Sequence, residues 1–123
     1  MSEILSQEKS IYIQIKEKIE NDILRDILLK EERVPSTNEL AKAYTINPAT
    51  AAKGVNLLVD EGILYKKRGI GMFVQSGAKR KIMEKRKKNF YDDYVKRLMA
   101  EAASLGITTD ELIDMIREND EQV

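Results

Sequence analysis

With 123 residues, the chain can hold one small domain and an appendage around a modest core. It contains neither Cys nor His, which excludes disulfides, thiolate sites and thiol nucleophiles and removes the usual general base and the commonest metal ligand. Its 21 Lys and Arg balance 21 Asp and Glu. No apolar run nears the ~18 residues of a membrane span and no charged-then-apolar leader opens it, so a cytoplasmic protein without membrane, metal or cofactor is expected.

Ile11, Ile15, Ile19 and Ile23 recur every four residues, flanked by Tyr12 and Leu24, and predict an amphipathic helix over residues 8–25. Such a stripe is a core face rather than a ligand site. Leu28 and Leu29 are expected to close that core in the following loop. Ser36-Thr37-Asn38-Glu39 then fits a capping box, with Pro35 setting the boundary before it. Leu40, Ala41 and Tyr44 give this short second helix one apolar face. Only Thr45 and Ile46 separate it from a third helix, which Asn47 caps and Pro48 opens at the first helical position. Ala51, Val55, Leu58 and Val59 form the apolar stripe of that helix, and Gly62 supplies a left-handed stop. Gly54 in its middle costs up to ~1 kcal/mol relative to Ala, a cost that close approach of another helix would justify.

Ile63-Leu64-Tyr65 and Met72-Phe73-Val74 read as paired strands joined by Lys66-Lys67-Arg68-Gly69-Ile70-Gly71, a basic tip with two glycines for positive φ. Ser76-Gly77-Ala78 is a short linker. From about residue 79 to 105 neither Gly nor Pro interrupts, which permits one long helix. Within it Tyr91, Val95, Leu98, Ala102 and Leu105 follow a 4-3-4-3 spacing, the seam of a coiled-coil-like packing, and Tyr94 lies beside them. Gly106 ends this helix. Thr108-Thr109-Asp110-Glu111 caps a short one over about 109–118, which presents Leu112, Ile113, Met115 and Ile116.

The expected fold is therefore mainly α with a small β-hairpin: a winged helix-turn-helix over residues 1–76, then a helical dimerisation hairpin over 77–123. In a helix-turn-helix with a wing, the second helix of the pair can enter the DNA major groove while the wing tip reaches the flanking backbone or minor groove. The zero net charge hides a strong polarity. Residues 1–65 carry net −3, residues 66–88 net +9 and residues 89–123 net −6. A run of cations is ordinarily a solvated surface, but three together at a hairpin tip after a helix-turn-helix suit a phosphate backbone. Neither hairpin helix can bury its apolar face alone, so a twofold homodimer through Tyr91, Tyr94, Val95, Leu98, Ala102, Leu105, Leu112 and Ile116 is expected, against a monomer in which the hairpin folds back. Such a dimer presents two recognition helices to the halves of a palindromic operator in double-stranded DNA.

Among the recognition-helix candidates, Asn47 is either a cap or a DNA contact. Ala49 suits a thymine methyl or simply close approach. Thr50 and Lys53, three residues apart, share a face, with Lys53 the foremost base or phosphate candidate. At the wing, Lys67, Arg68, Gly69 and Ile70 are candidates, Arg68 as the minor-groove or phosphate probe. The carboxylate pairs Glu31-Glu32 and Asp92-Asp93 have no partner base, nucleotide loop or metal-ligand spacing, so no enzyme is expected. The alternative function is a winged-helix protein-interaction module docking an acidic partner, without operator specificity.

Residues 11–74 resemble the N-terminal winged helix-turn-helix of the GntR family of bacterial transcription regulators. The resemblance rests on Ile11-Tyr12-Ile13-Gln14-Ile15, Arg33-Val34-Pro35-Ser36, Glu39-Leu40-Ala41, Glu61-Gly62-Ile63-Leu64 and Arg68 through Val74. Asn47-Pro48-Ala49-Thr50 is similar to the opening of the recognition helix in the YtrA-like branch. This sequence has Ser10 where the family usually has Pro, and Asp26 and Lys30-Glu31 where Gly and Pro-Gly are usual. Asn38 replaces an Arg common in other branches. The resemblance implies that Ser36, Thr37 and Asn38 meet DNA, that the C-terminal helices dimerise, and that the protein is a repressor, often of transporter or membrane-protein genes. A small-molecule effector, if there is one, would have to bind at the dimer seam or between the domains.

Overall fold

The computed structural model describes residues 10–121. Residues 8 and 9, where the first helix was expected to begin, lie outside the described residues. Contacts divide the chain into two units, one through Glu84 and one from Lys85.

In the first unit, α1 (Ile11–Leu24) buries Ile15, Ile19 and Ile23, while Ile11 at its start stays exposed. Helix α2 (Thr37–Tyr44) opens on the expected box: Glu39 N–H donates to Ser36 Oγ and Ser36 N–H to Glu39 Oε1, both at 3.1 Å. It closes on Thr45 in the left-handed region at φ 55°, and Ile46 N–H returns to the Ala41 carbonyl at 2.9 Å. Helix α3 (Pro48–Asp60) follows at once, buries Ala51, Gly54, Val55 and Leu58, and packs against α1. The approach is close at Gly54: a Cβ there would lie 2.5 Å from the Tyr12 carbonyl oxygen and 3.2 Å from Ile15 Cβ. Lys16 ties the same pair of helices through a 2.9 Å ion pair to Glu61.

Strands β1 (Leu64–Lys67) and β2 (Gly71–Val74) pair antiparallel, from Leu64 opposite Val74 to Lys67 opposite Gly71. The ladder thus starts one residue later than the sequence suggests and runs further toward the tip. Ile63 is buried in the turn after α3, its N–H bonded to the Leu58 carbonyl. The other edge of β2 is occupied as well, which the sequence did not announce. Glu31 N–H donates to Val74 O, Val74 N–H to Glu32 O and Val34 N–H to Met72 O, at 2.8, 2.9 and 2.9 Å, and Arg33 bridges Phe73. Of the two loop leucines, Leu28 packs on the core but Leu29 is exposed. The turn held by Leu29 N–H on Glu32 Oε1 leaves only one of two consecutive side chains facing inward.

Helix α4 (Ala78–Phe90) contributes Ala78 and Ile82 to the core of the first unit, beyond the linker at which the sequence places the domain boundary. The helical path continues through a π-helical turn (Tyr91–Val95) into α5 (Lys96–Ser104). Gly106 at φ 74° turns the chain, Ile107 N–H bonds the Ala102 carbonyl, and Thr108 and Glu111 cap α6 (Thr109–Glu121) reciprocally. Among the described residues of the second unit only Ala102 is buried. No helix among the described residues is long and apolar enough to cross a membrane.

Candidate nucleic-acid interface

The outward face of α3 follows from the face it buries. Residues opposite the core stripe are Ala49, Lys53 and Asn56, exposed, with Ala52 half-buried beside them. Asn47 is committed to its cap, its Oδ1 accepting from Ala49 N–H at 2.8 Å. Thr50 is half-buried, away from the centre of the exposed face. Lys53 leans toward α1, where its ammonium lies 4.1 Å from the centroid of the Tyr12 ring, so it is anchored rather than extended.

The wing tip is a tight turn. Ile70 N–H donates to the Lys67 carbonyl at 3.0 Å, and Gly69 at φ 78° takes the position that in a type II turn requires positive φ. Arg68, Gly69 and Ile70 project from it, all exposed. Lys67 lies over the ring of Phe73 at 4.7 Å, and Phe73 stacks on Tyr65 with centroids 5.8 Å apart, so aromatic packing holds the cationic end of β1.

Between the start of α2 and the wing runs a cleft of about 350 Å³. It brings together five of the residues singled out from the sequence: Ser36 and Thr37 on one side, Lys67, Gly69 and Ile70 on the other. Asn38, Asn47, Ala49, Thr50, Lys53 and Arg68 do not line it. Val55 and Met72 lie among its lining residues, and two cations not among the candidates, Arg33 and Lys66, line it as well. The Arg33 stem passes where Gly71 has no side chain; a Cβ at Gly71 would meet Arg33 Nε at 2.8 Å. Its guanidinium Nη1 reaches within 3.8 Å of Glu39 Oε1. The Glu39 carboxyl is held below its usual range by the Ser36 backbone N–H, then by the Ser36 hydroxyl and the Arg33 charge. Nothing in the sequence around Arg33 signalled this, because its placement depends on the extra pairing with β2. Asn56 could have been found, since it lies three residues from Lys53 and seven from Ala49.

The carboxylate pairs have structural partners. Glu31 accepts from the Tyr65 hydroxyl, Glu32 from Leu29 N–H, and Asp92 pairs with Lys96 at 3.3 Å. No cluster among the described residues could hold a metal ion. In the second unit Tyr91, Tyr94, Leu98, Leu105 and Ile116 are exposed, Val95 and Leu112 half-buried and Ala102 buried. Phe90, outside the expected seam, joins Tyr94 at 5.3 Å between rings.

A helix-turn-helix with an outward recognition face and a cationic hairpin beside it defines a winged-helix regulatory protein. Residues 11–74 match the family described as bacterial regulatory proteins, gntR family. The HTH-type transcriptional repressor YtrA of Bacillus subtilis (strain 168) is 31% identical over 108 residues, covering 88% of this chain and 82% of that protein. The crystal structure of a GntR-family regulator from Bacteroides thetaiotaomicron superposes with a TM-score of 0.71 at 36% identity, over 91% of this chain and 97% of the other. The DNA-binding domain of AraR, solved in complex with operator ORX1, matches with a TM-score of 0.52 at 32% identity, over 60% of this chain and 90% of that one. The chain belongs to the GntR family and is similar over most of its length to the YtrA repressor. These are transcription regulators, not enzymes.

Proposed function

We propose that this protein is a cytoplasmic transcription repressor that binds a palindromic operator as a homodimer. The winged unit holds the DNA and the helices after the wing join two copies. The observation that carries this reading is the surface shared by α3, the start of α2 and the wing. It combines an outward helix face with five cations, Arg33, Lys53, Lys66, Lys67 and Arg68, and no acid is among the described residues that line the cleft. Phosphates flanking a major groove would meet the cations while α3 lies in the groove. AraR, whose matching domain has been solved on its operators, supports the same use of this fold. A twofold dimer gives each half-site one winged unit, as half-site recognition requires.

The experiment is selection of duplexes from a random library with the purified full chain at near-physiological salt. Enrichment of a palindrome bound by one dimer is expected. Uniform, salt-sensitive binding without enrichment would overturn operator recognition in favour of a module that docks an acidic partner.

A further inference from the structure

The outward face of α3 is unusual in what it lacks. The helix carries one cation, Lys53, and no Arg, Gln, Ser or Glu. Guanine is read in the major groove chiefly by Arg or Lys donating to O6 and N7, and cytosine by a carboxylate accepting from N4. Lys53 lies over the Tyr12 ring, on the α1 side of the helix. Asp60, the only acid on α3, stands at its last residue, far from the end that leads into a groove. Neither half of a G·C pair therefore finds its usual reader.

Small apolar groups and one amide take that place. Ala49 is exposed and Ala52 half-buried beside it, both in the first half of α3. Asn56 is exposed two turns after Ala49, on the same side. Methyl groups of this kind suit the C5-methyl of thymine. An Asn amide can accept from adenine N6 and donate to N7 at once, a bidentate pair that no other base offers it. With side chains this short, the helix backbone itself can come close to the base edges.

We propose that the base pairs facing α3 in each half-site are A·T, with thymine methyls against Ala49 and Ala52 and an adenine paired with Asn56. The inference rests on the operator-binding reading and specifies what that site reads. Specificity then comes from methyl contacts and one amide, and the cationic wing and cleft supply affinity that is indifferent to sequence.

The selected operator itself provides the test, by competition binding at fixed salt with base analogues placed one position at a time. Deoxyuridine removes only the thymine methyl, and 7-deazaadenine removes only N7. Deoxyuridine opposite the start of α3 should weaken binding about fourfold, the worth of burying one methyl. One 7-deazaadenine should cost about tenfold. In Asn56→Ala that position alone should become insensitive while the deoxyuridine effects persist. Asn56 is exposed, so the variant removes no core contact, and an unchanged melting temperature verifies that it folds. A consensus with G·C pairs at the major-groove positions, or full affinity with both analogues, would overturn the base assignment while leaving operator binding intact. Absence of any enriched sequence would overturn both.

Discussion

Arg33 shows how a single residue acquires a role from its surroundings. It lies in a short extended segment, is threaded past a glycine, and is held by one carboxylate beside the α2 cap. Exposed pairs of this kind contribute little to stability, so Glu39 is a weak competitor for the guanidinium. A phosphate entering the cleft would offer a bidentate, doubly charged-assisted contact instead. Arg33→Ala is accordingly expected to weaken DNA binding by a similar factor on every sequence and to lower the salt dependence by about one phosphate contact. Titration of operator and random duplex at several salt concentrations measures both. Sequence-dependent loss would make Arg33 a base contact instead, and no loss would remove it from the interface.

At the scale of elements, two backbone features decide how α2 and α3 are held. Gly54 lets α1 rest against α3 with no room for a methyl, and Gly54→Ala should destabilise the protein by ~1–3 kcal/mol through overpacking, despite the better helix propensity of Ala. A raised midpoint in urea denaturation would contradict that geometry. Thr45 is the opposite case, a β-branched residue in the left-handed region, where L side chains are strained by ~1 kcal/mol or more. Thr45→Gly should raise stability by ~0.5–1 kcal/mol, visible as a melting temperature a few degrees higher, because the relief exceeds the added freedom of the unfolded chain. In the second unit the backbone feature that matters is the π-helical turn. A turn with one extra residue shifts the helical phase between Phe90 and Lys96, so the 4-3-4-3 spacing read from an ideal helix does not define one straight seam. Phe90 and Tyr94, four residues apart as helical neighbours are, meet there with ring centroids 5.3 Å apart.

For the whole molecule, the second unit leaves Phe90, Tyr91, Tyr94, Leu98, Met99, Leu105, Met115 and Ile116 exposed in one chain. Apolar surface of this extent supports the proposed dimer contact. Under the proposed dimerisation, Leu98→Asp should yield a monomer by light scattering and weaken binding to a palindrome far more than to a single half-site. Leu98 is 46% exposed, so the change leaves the single chain's packing largely alone. An unchanged mass would move the dimer contact elsewhere.

Local chemistry made most of the fold legible. The box of Ser36 and Glu39, the Asn47-Pro48 start, the Gly62 and Gly106 stops and the apolar periods of α1 and α3 each act within a few residues, so the sequence alone determined the helices, the hairpin and their order. Capping and periodicity also located Ala49 and the wing tip. Tertiary structure decided what depends on pairing between distant segments. The strand-like run of Glu31 to Val34 found its partner in β2, and that pairing put Arg33 in the cleft. Packing on α1 drew Lys53 aside, whereas the outward place of Asn56 follows from the period of α3. Backbone hydrogen bonds between remote residues, and the direction of a long flexible side chain, have no periodic signature, and so only the folded chain could place Arg33 and Lys53.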